Sequence, residues 1–232
     1  RPGGDRMSAP IPLGMVGGGD GAFIGAIHRI AARMDGQFKL VAGALSSNPE
    51  RAAASAEALG IERSYTDYHE MARAEAARPD GIRAVSIVTP NHLHAPVAIA
   101  FLDAGINVIC DKPLTATRED AQALAEAAKR SKAHFFLTHN YSAHPMVREA
   151  RAMVADGDIG TLRLVQAEYL QGWLSDDVQN KQADWRTDPA RSGAGAIGDI
   201  GTHAWQLAEF VTGQTPALLS ADLSSMVEGR RV

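Results

Sequence analysis

The 232-residue sequence contains one cysteine, Cys110, so no disulfide can form within the chain. That thiol sits in the apolar stretch Ile106-Asn107-Val108-Ile109-Cys110, which places it as a buried, inert side chain rather than a nucleophile. No apolar run approaches the ~20 residues that a membrane-spanning helix requires. An excess of one charge is lacking too. The 23 basic and 27 acidic residues leave a net charge of −4 with no long single-sign run, which excludes the basic footprint of a nucleic-acid binder. The first residues, Arg1-Pro2-Gly3-Gly4-Asp5-Arg6, lack the apolar centre of a secretory signal. The expectation is a soluble protein of a reducing compartment, most simply the cytoplasm, with neither nucleic acid nor membrane as partner.

What is present is a regular alternation of short apolar runs and longer helical patterns. After a tail over residues 1–10, strands are expected at Ile11–Val16, Phe38–Leu45, Ala84–Val88, Ile106–Cys110 and His134–Thr138. Helices are expected between them: Phe23–Met34, Asn48–Leu59 with Pro49 in its first turn, Asp67–Arg78 with Asp67 as cap, His94–Ala104 and Arg118–Arg130. Strands separated by helices of this length imply crossover connections and a parallel sheet. From about Asn140 the pattern changes. A helix near Pro145–Ala155 precedes an alternating stretch, Leu162–Trp173, which reads as an antiparallel strand with one covered face. A polar loop, Ser175–Arg191, a helix over Ile197–Thr212 and a last strand over Ala217–Val227 complete the reading. The fold class expected is α/β: a doubly wound Rossmann domain over 11–139, then a C-terminal α/β domain over 140–232. Two strands are few for a self-sufficient layer, so that second domain reads as partial.

Four segments carry chemistry. Gly17-Gly18-Gly19-Asp20-Gly21-Ala22 fits G-x-G-x-x-G/A between a strand and a helix. Gly17 would make the tight turn, Gly19 would let the backbone approach a pyrophosphate, and Ala22 would allow close helix–strand packing. Asp20, Phe23 and Ile24 lie at the helix start that faces the phosphates. At the end of the second strand, Ser46, Ser47 and Arg51 occupy the region where an acid would select NAD; two hydroxyls and a cation lean toward NADP. After the third strand, Thr89, Pro90, Asn91 and His94 fall at the carboxyl edge where ligands of such sheets bind. The fourth strand ends in Asp111-Lys112-Pro113, which sets a lysine at the same edge. Last, Gly198-Asp199-Ile200-Gly201-Thr202-His203 puts Asp199 and His203 four apart on one helix face, a carboxylate beside a group suited to proton transfer. No cysteine or carboxylate cluster supports a metal at His92 and His94. Plainer readings stand beside these: a flexible glycine turn, a solvent-facing Arg51, a surface lysine, and a helix-start aspartate with a packed histidine.

In this order the segments resemble the glucose–fructose oxidoreductase/inositol dehydrogenase (Gfo/Idh/MocA) family over about residues 11–232. Thr138-His139-Asn140-Tyr141, Trp185-Arg186 and Ser192-Gly193-Ala194-Gly195 also look like family segments. The resemblance implies hydride transfer between NAD or NADP and a sugar, cyclitol or polyol. It makes Lys112, Asp199 and His203 the catalytic group. Tyr141, Trp185 and Arg186 then stand on the substrate side, and Asn140, Asp111 and Lys112 join the cofactor contacts. It also implies that the C-terminal α/β domain carries an open, mostly antiparallel sheet, with homodimers or homotetramers formed through it. Two departures stand out: Asp111 replaces the family's usual glutamate, and the family's C-terminal sheet needs a further stretch absent from this sequence. A non-catalytic NAD(P)-binding sensor and an NAD-dependent glycosidase of the same family are the competing readings.

Overall fold

The computed structural model describes residues 9–188, 192, 193, 195–228 and 230. Most of the expected tail therefore lies outside the described residues, as do residues 189–191, Ala194, Gly229, Arg231 and Val232.

Six strands form one sheet: β1 (Ile11–Gly17), β2 (Phe38–Ala44), β3 (Arg63–Ser64), β4 (Ala84–Val88), β5 (Asn107–Cys110) and β6 (Phe135–Leu137), in the order β3-β2-β1-β4-β5-β6. β1 pairs in parallel with β2 on one side and β4 on the other, so the order reverses between β1 and β4. At such a reversal the carboxyl ends of two adjacent strands open a crevice, here at Gly17 and Val88. Every residue of β4 is buried, as a strand covered on both faces requires. The sequence reading contains five of these strands. β3 escaped it because two residues are too few to show any alternation.

The helices start where the sequence supplies acceptors for first-turn N–H groups. Asn48 accepts from the Arg51 N–H at the head of α2 (Pro49–Leu59), and Asp67 accepts from the Glu70 N–H at the head of α3 (Tyr68–Ala77). α1 (Phe23–Arg33), α4 (His94–Asp103) and α5 (Arg118–Arg130) complete the series. Met15, Val85, Ile87, Val97, Phe101 and Val108 are fully buried between sheet and helices. Cys110 is buried as well; burial, with Asp111 adjacent, pushes its thiol far above the ordinary range.

The described chain divides into two compact units. One holds the residues up to Thr89 with Leu93–Asp111 and Glu119–Phe136. The other holds Pro90–His92, Lys112–Arg118 and the residues from Leu137 on. In the second unit α6 (Pro145–Asp156) packs on α8 (Thr202–Thr212), with the Arg151 guanidinium 4.5 Å over the Phe210 ring. A short helix, α7 (Lys181–Arg186), stands inside the expected polar loop. Its signal was local: the Asn180 side chain accepts from the Ala183 N–H, a cap that six residues are too short to announce by periodicity.

The two strands expected after residue 140 are not formed. Neither 162–173 nor 217–227 is hydrogen-bonded into a sheet among the described residues, and Leu164, Leu170, Leu218 and Leu219 are exposed. Alternation reports which side chains share a face, but a strand also needs a neighbour for its N–H and C=O groups. No helix among the described residues is long and apolar enough to cross a membrane.

Within the first unit, Glu75 is fully buried and accepts from Arg63 Nε at 2.7 Å, Arg63 Nη2 at 2.9 Å, Tyr65 OH at 2.8 Å and the Ile82 N–H at 3.1 Å. Burial alone would raise its pKa, but these donors outweigh burial and hold it below the ordinary carboxylate value. A carboxyl depressed in the folded state stabilises above its unfolded pKa, and that stabilisation fades as pH falls through and below it. Glu75→Gln should cost about 3 kcal/mol in urea unfolding at pH 7, the low end for a broken buried pair. The gap to wild type should narrow below about pH 4.

Candidate active site

The turn after β1 is built from glycines with left-handed backbones. Gly17 has φ 76° and Gly18 φ 72°, and a Cβ on Gly17 would lie 2.9 Å from the Val88 carbonyl oxygen. A Cβ on Gly19 would meet the Leu45 oxygen at 3.0 Å and Ser55 Oγ at 3.1 Å, while Ser55 Oγ accepts from the Asp20 N–H. Gly19 is thus demanded by β2 and α2 as well as by any bound phosphate. The close helix–strand approach expected at Ala22 falls at Gly25, whose Cβ would come within 2.5 Å of Gly18 Cα. The loop is one turn longer than the simple fingerprint assumes, and three adjacent glycines hid that register in the sequence.

α1 begins differently from α2 and α3. Its N-cap residue, Ala22, has no side chain to accept a hydrogen bond, and no acid lies in the first turn. The N–H groups and the positive end of the helix dipole are left for an anion, which fits the pyrophosphate of a dinucleotide. Asp20 and Phe23 are exposed at this end, and Ile24 packs on the core cluster of Met15, Leu45, Ala56, Ile61 and Val88. At the end of β2, Ser46 Oγ accepts from the Asn48 N–H at 3.1 Å, and Ser47 and Arg51 are exposed.

The edge residues of β4 and β5 have protein partners. His94 is buried with Nε2 3.0 Å from the Thr89 oxygen, so it acts on that turn rather than presenting a ring at the surface. Pro90 is half-buried. Asn91 is buried and donates to the Ser192 oxygen at 2.8 Å. Asp111 lies 3.6 Å from His28 Nε2, and His28 Nδ1 is 2.8 Å from the buried Ser86 Oγ. His28 and Ser86 were not among the residues singled out in the sequence.

Within the second unit Lys112, Asp199 and Arg186 converge. Lys112 Nζ donates to Asp199 Oδ1 at 2.7 Å and to the Asp199 backbone oxygen at 2.8 Å, and Arg186 Nε donates to Asp199 Oδ2 at 3.2 Å. The Lys112–Pro113 peptide bond is cis. Asp199 lies in a π-helical turn, Ile197–Gly201, where the Thr202 N–H reaches back five residues to the Ile197 oxygen before α8 begins. Such turns cluster at functional sites. The simple four-residue spacing on one α-helical face therefore does not describe Asp199 and His203. His203 is buried among rings: Tyr141 at 4.5 Å, His139 at 5.6 Å and Tyr169 at 6.0 Å between centroids. Tyr141 OH and Tyr169 OH are 2.8 Å apart. That bond, then burial and the nearby Tyr169 and Asp199, raise the Tyr141 pKa. Tyr169 was missed because it sits in the stretch read as a strand.

Gly193, at φ 85°, passes so close to Ala116 that a Cβ would meet the Ala116 oxygen at 2.5 Å. Asn140 is exposed at the start of a 3₁₀ turn, Asn140–Ala143. The Trp185 side chain lies outside the described residues. Among the described residues no group of three or more His, Cys, Asp or Glu side chains is placed to hold a metal.

The family model of the Gfo/Idh/MocA oxidoreductases, an NAD-binding Rossmann fold, matches residues 11–139, and that of the Gfo/Idh/MocA C-terminal domain matches 147–232. The chain belongs to the Gfo/Idh/MocA family. Among solved family members, an oxidoreductase from Sinorhizobium meliloti is 53% identical with a TM-score of 0.87, over 97% of this chain and 59% of that one. An inositol dehydrogenase homologue from Azotobacter vinelandii, complexed with NADH and myo-inositol, is 41% identical with a TM-score of 0.81, over 88% of this chain and 53% of that one. Levoglucosan dehydrogenase from Pseudarthrobacter phenanthrenivorans is 36% identical over 95% of this chain and 55% of its own length. The chain thus spans little more than half the length of these relatives. Membership makes the cofactor a nicotinamide dinucleotide, in keeping with the uncapped head of α1 and the glycine turn.

Gly19→Val should abolish dinucleotide binding in calorimetry, since the new side chain collides with Leu45 and Ser55 and deforms the turn. Binding within a few-fold of wild type would remove the phosphate-loop assignment.

Proposed function

We propose that this chain belongs to an NAD(P)-dependent dehydrogenase or reductase acting on a CH–OH group of a sugar, cyclitol or polyol. Residues 11–139 hold the dinucleotide and residues 140–232 serve the substrate. The observation that carries this reading is the clamping of Lys112 by Asp199 in the same unit as the buried His203. An ammonium has three N–H donors. Asp199 takes two of those on Lys112, and the third is left to donate to a substrate oxygen. That donor stabilises negative charge as the hydroxyl loses its proton. His203 is the proton acceptor in oxidation and the donor in reduction, an imidazole suited to both near neutral pH. The carbon–hydrogen bond gives up its electron pair as hydride while the O–H proton passes to His203, leaving a carbonyl. The nicotinamide, when bound, supplies the hydride-accepting or hydride-donating ring.

Tyr141 stands on the substrate side, its ring tilted by 44° against His203 at 4.5 Å and its hydroxyl held by Tyr169. The named ligands of the relatives, myo-inositol and levoglucosan, are polyhydroxylated, which supports the substrate class. For the 2′-phosphate that distinguishes NADP, the exposed Ser47 and Arg51 and the missing acid at the end of β2 are the supporting features. Assembly into dimers or tetramers through the second domain finds support in the exposed Leu164 and Leu170 of an unpaired segment.

Lys112→Ala and His203→Ala should each lower kcat by about 10²- to 10⁴-fold, with dinucleotide affinity by calorimetry within a few-fold of wild type. Turnover at the wild-type rate in both variants would dismiss the site. Titrating the chain with NAD⁺, NADH, NADP⁺ and NADPH should show one pair preferred. Equal weak binding of all four would sink the Ser46–Arg51 reading.

A further inference from the structure

The family resemblance sets Arg186 on the substrate side, and in the structure its guanidinium meets the Asp199 carboxylate. Nε donates to Asp199 Oδ2, and the group lies 5.7 Å from the Trp173 ring centre. Lys112 holds the other oxygen, so one carboxylate is bonded by two cations from separate parts of the chain. All three side chains are largely withdrawn from water, with 17–23% of their surface exposed, so the charges act on one another with little screening.

We infer that Arg186 is a positioning residue for the proton-transfer group: it fixes the Asp199 carboxylate on Lys112 and keeps a positive charge beside the acid–base site. The inference rests on the dehydrogenase reading above and assigns within it a role other than the substrate contact that the family resemblance implies. Two physical consequences follow. A carboxylate held only by Lys112 could rotate about its side-chain bonds, carrying the ammonium away from the substrate oxygen. A second donor on Oδ2 makes that rotation costly, because the Arg186–Asp199 hydrogen bond would be lost with it. The extra cation also favours the deprotonated form of every titratable group near it. The groups that face this cluster are Lys112, Arg186, Tyr141 and Asp199, with His139, Tyr141 and Tyr169 around His203.

The test compares Arg186→Gln, Arg186→Lys and wild type in two measurements on the whole chain: the pH profile of kcat/KM with NAD(P) and a polyol, and the titration of the His203 ring by NMR, assigned with His203→Asn. Loss of the charge in Arg186→Gln should move both limbs of the profile, and the His203 midpoint, upward by about half a pH unit. It should also lower kcat about ten- to a hundredfold with the substrate KM changed less than about threefold. Arg186→Lys keeps the charge but loses the planar guanidinium, so its His203 midpoint should stay at the wild-type value while kcat recovers in part. A raised substrate KM with unmoved limbs and an unmoved His203 midpoint would overturn the inference and return Arg186 to the substrate. No effect on either measurement would overturn it too. If wild type turns over no polyol, the dehydrogenase reading fails, and the His203 titration still decides whether Arg186 acts on this group. Should Arg186→Gln fail to fold by circular dichroism, Arg186→Met, which keeps the aliphatic stem against Trp173, serves for the same comparison.

Discussion

A carboxylate drawn out of water is tolerated only where its charge is answered, and Asp199 is answered twice. Lys112 arrives from the loop after β5 and Arg186 from the end of α7, and neither would be held in place by its own element. A side chain as long as lysine's loses considerable rotamer freedom when fixed. The two hydrogen bonds from Nζ to the carboxylate and the carbonyl of one residue are what offset that loss. That carbonyl belongs to a π turn, Ile197–Gly201, in which the Thr202 N–H reaches back to the Ile197 oxygen before α8 takes over. The irregular turn, the lysine and the arginine therefore form one arrangement, and a change in any of them is felt by the others.

The turn at Ser192-Gly193 supports this arrangement from another direction. Asn91 donates to the Ser192 carbonyl, and Gly193 lies against the Ala116 backbone with no room for a Cβ. Both partners come from the short stretches that follow β4 and β5 and that pack with the second unit. In an open parallel sheet these carboxyl-end loops are where ligand chemistry is placed. Here they also anchor the segment that delivers Asp199. A residue such as Asn91, expected at a cofactor, is thereby occupied in holding backbone.

How much was legible in the sequence depended on whether the signal was periodic or local. β1, β2, β4 and β5, with the helices between them, are long, apolar and spaced regularly, so the doubly wound sheet could be read from pattern alone. Asn48 and Asp67 marked helix starts by chemistry, and both caps are formed. The glycine turn after β1 was legible, but three consecutive glycines cannot say which one meets the helix; the structure sets Gly18 against Gly25 of α1. Asp199 and His203 were read as a spacing of four, which presumes an α-helix; the π turn breaks that presumption, and both residues share the second unit with Lys112. Arg186 and Tyr169 needed contacts between segments far apart in the chain, which no local pattern encodes. The alternation over Leu162–Trp173 failed for a different reason, since pairing is a property of two segments and the sequence displayed only one.

The division of labour within the chain follows from what each environment can do with charge. The head of α1 offers backbone N–H groups and a dipole but no titratable side chain of its own, which suits an anion that must be held and not protonated. The Lys112–Asp199–Arg186 cluster offers fixed full charges and one remaining donor direction, which suits an oxygen whose charge changes during reaction. His203, walled by Tyr141, Tyr169 and His139, is withdrawn from water. A group that only recognised sugar hydroxyls would need none of this charge management, since neutral amides and hydroxyls bind such ligands at lower desolvation cost. Two cations on one aspartate, in the same unit as a buried imidazole, fit the proposed reaction, in which a proton leaves a hydroxyl as hydride leaves its carbon.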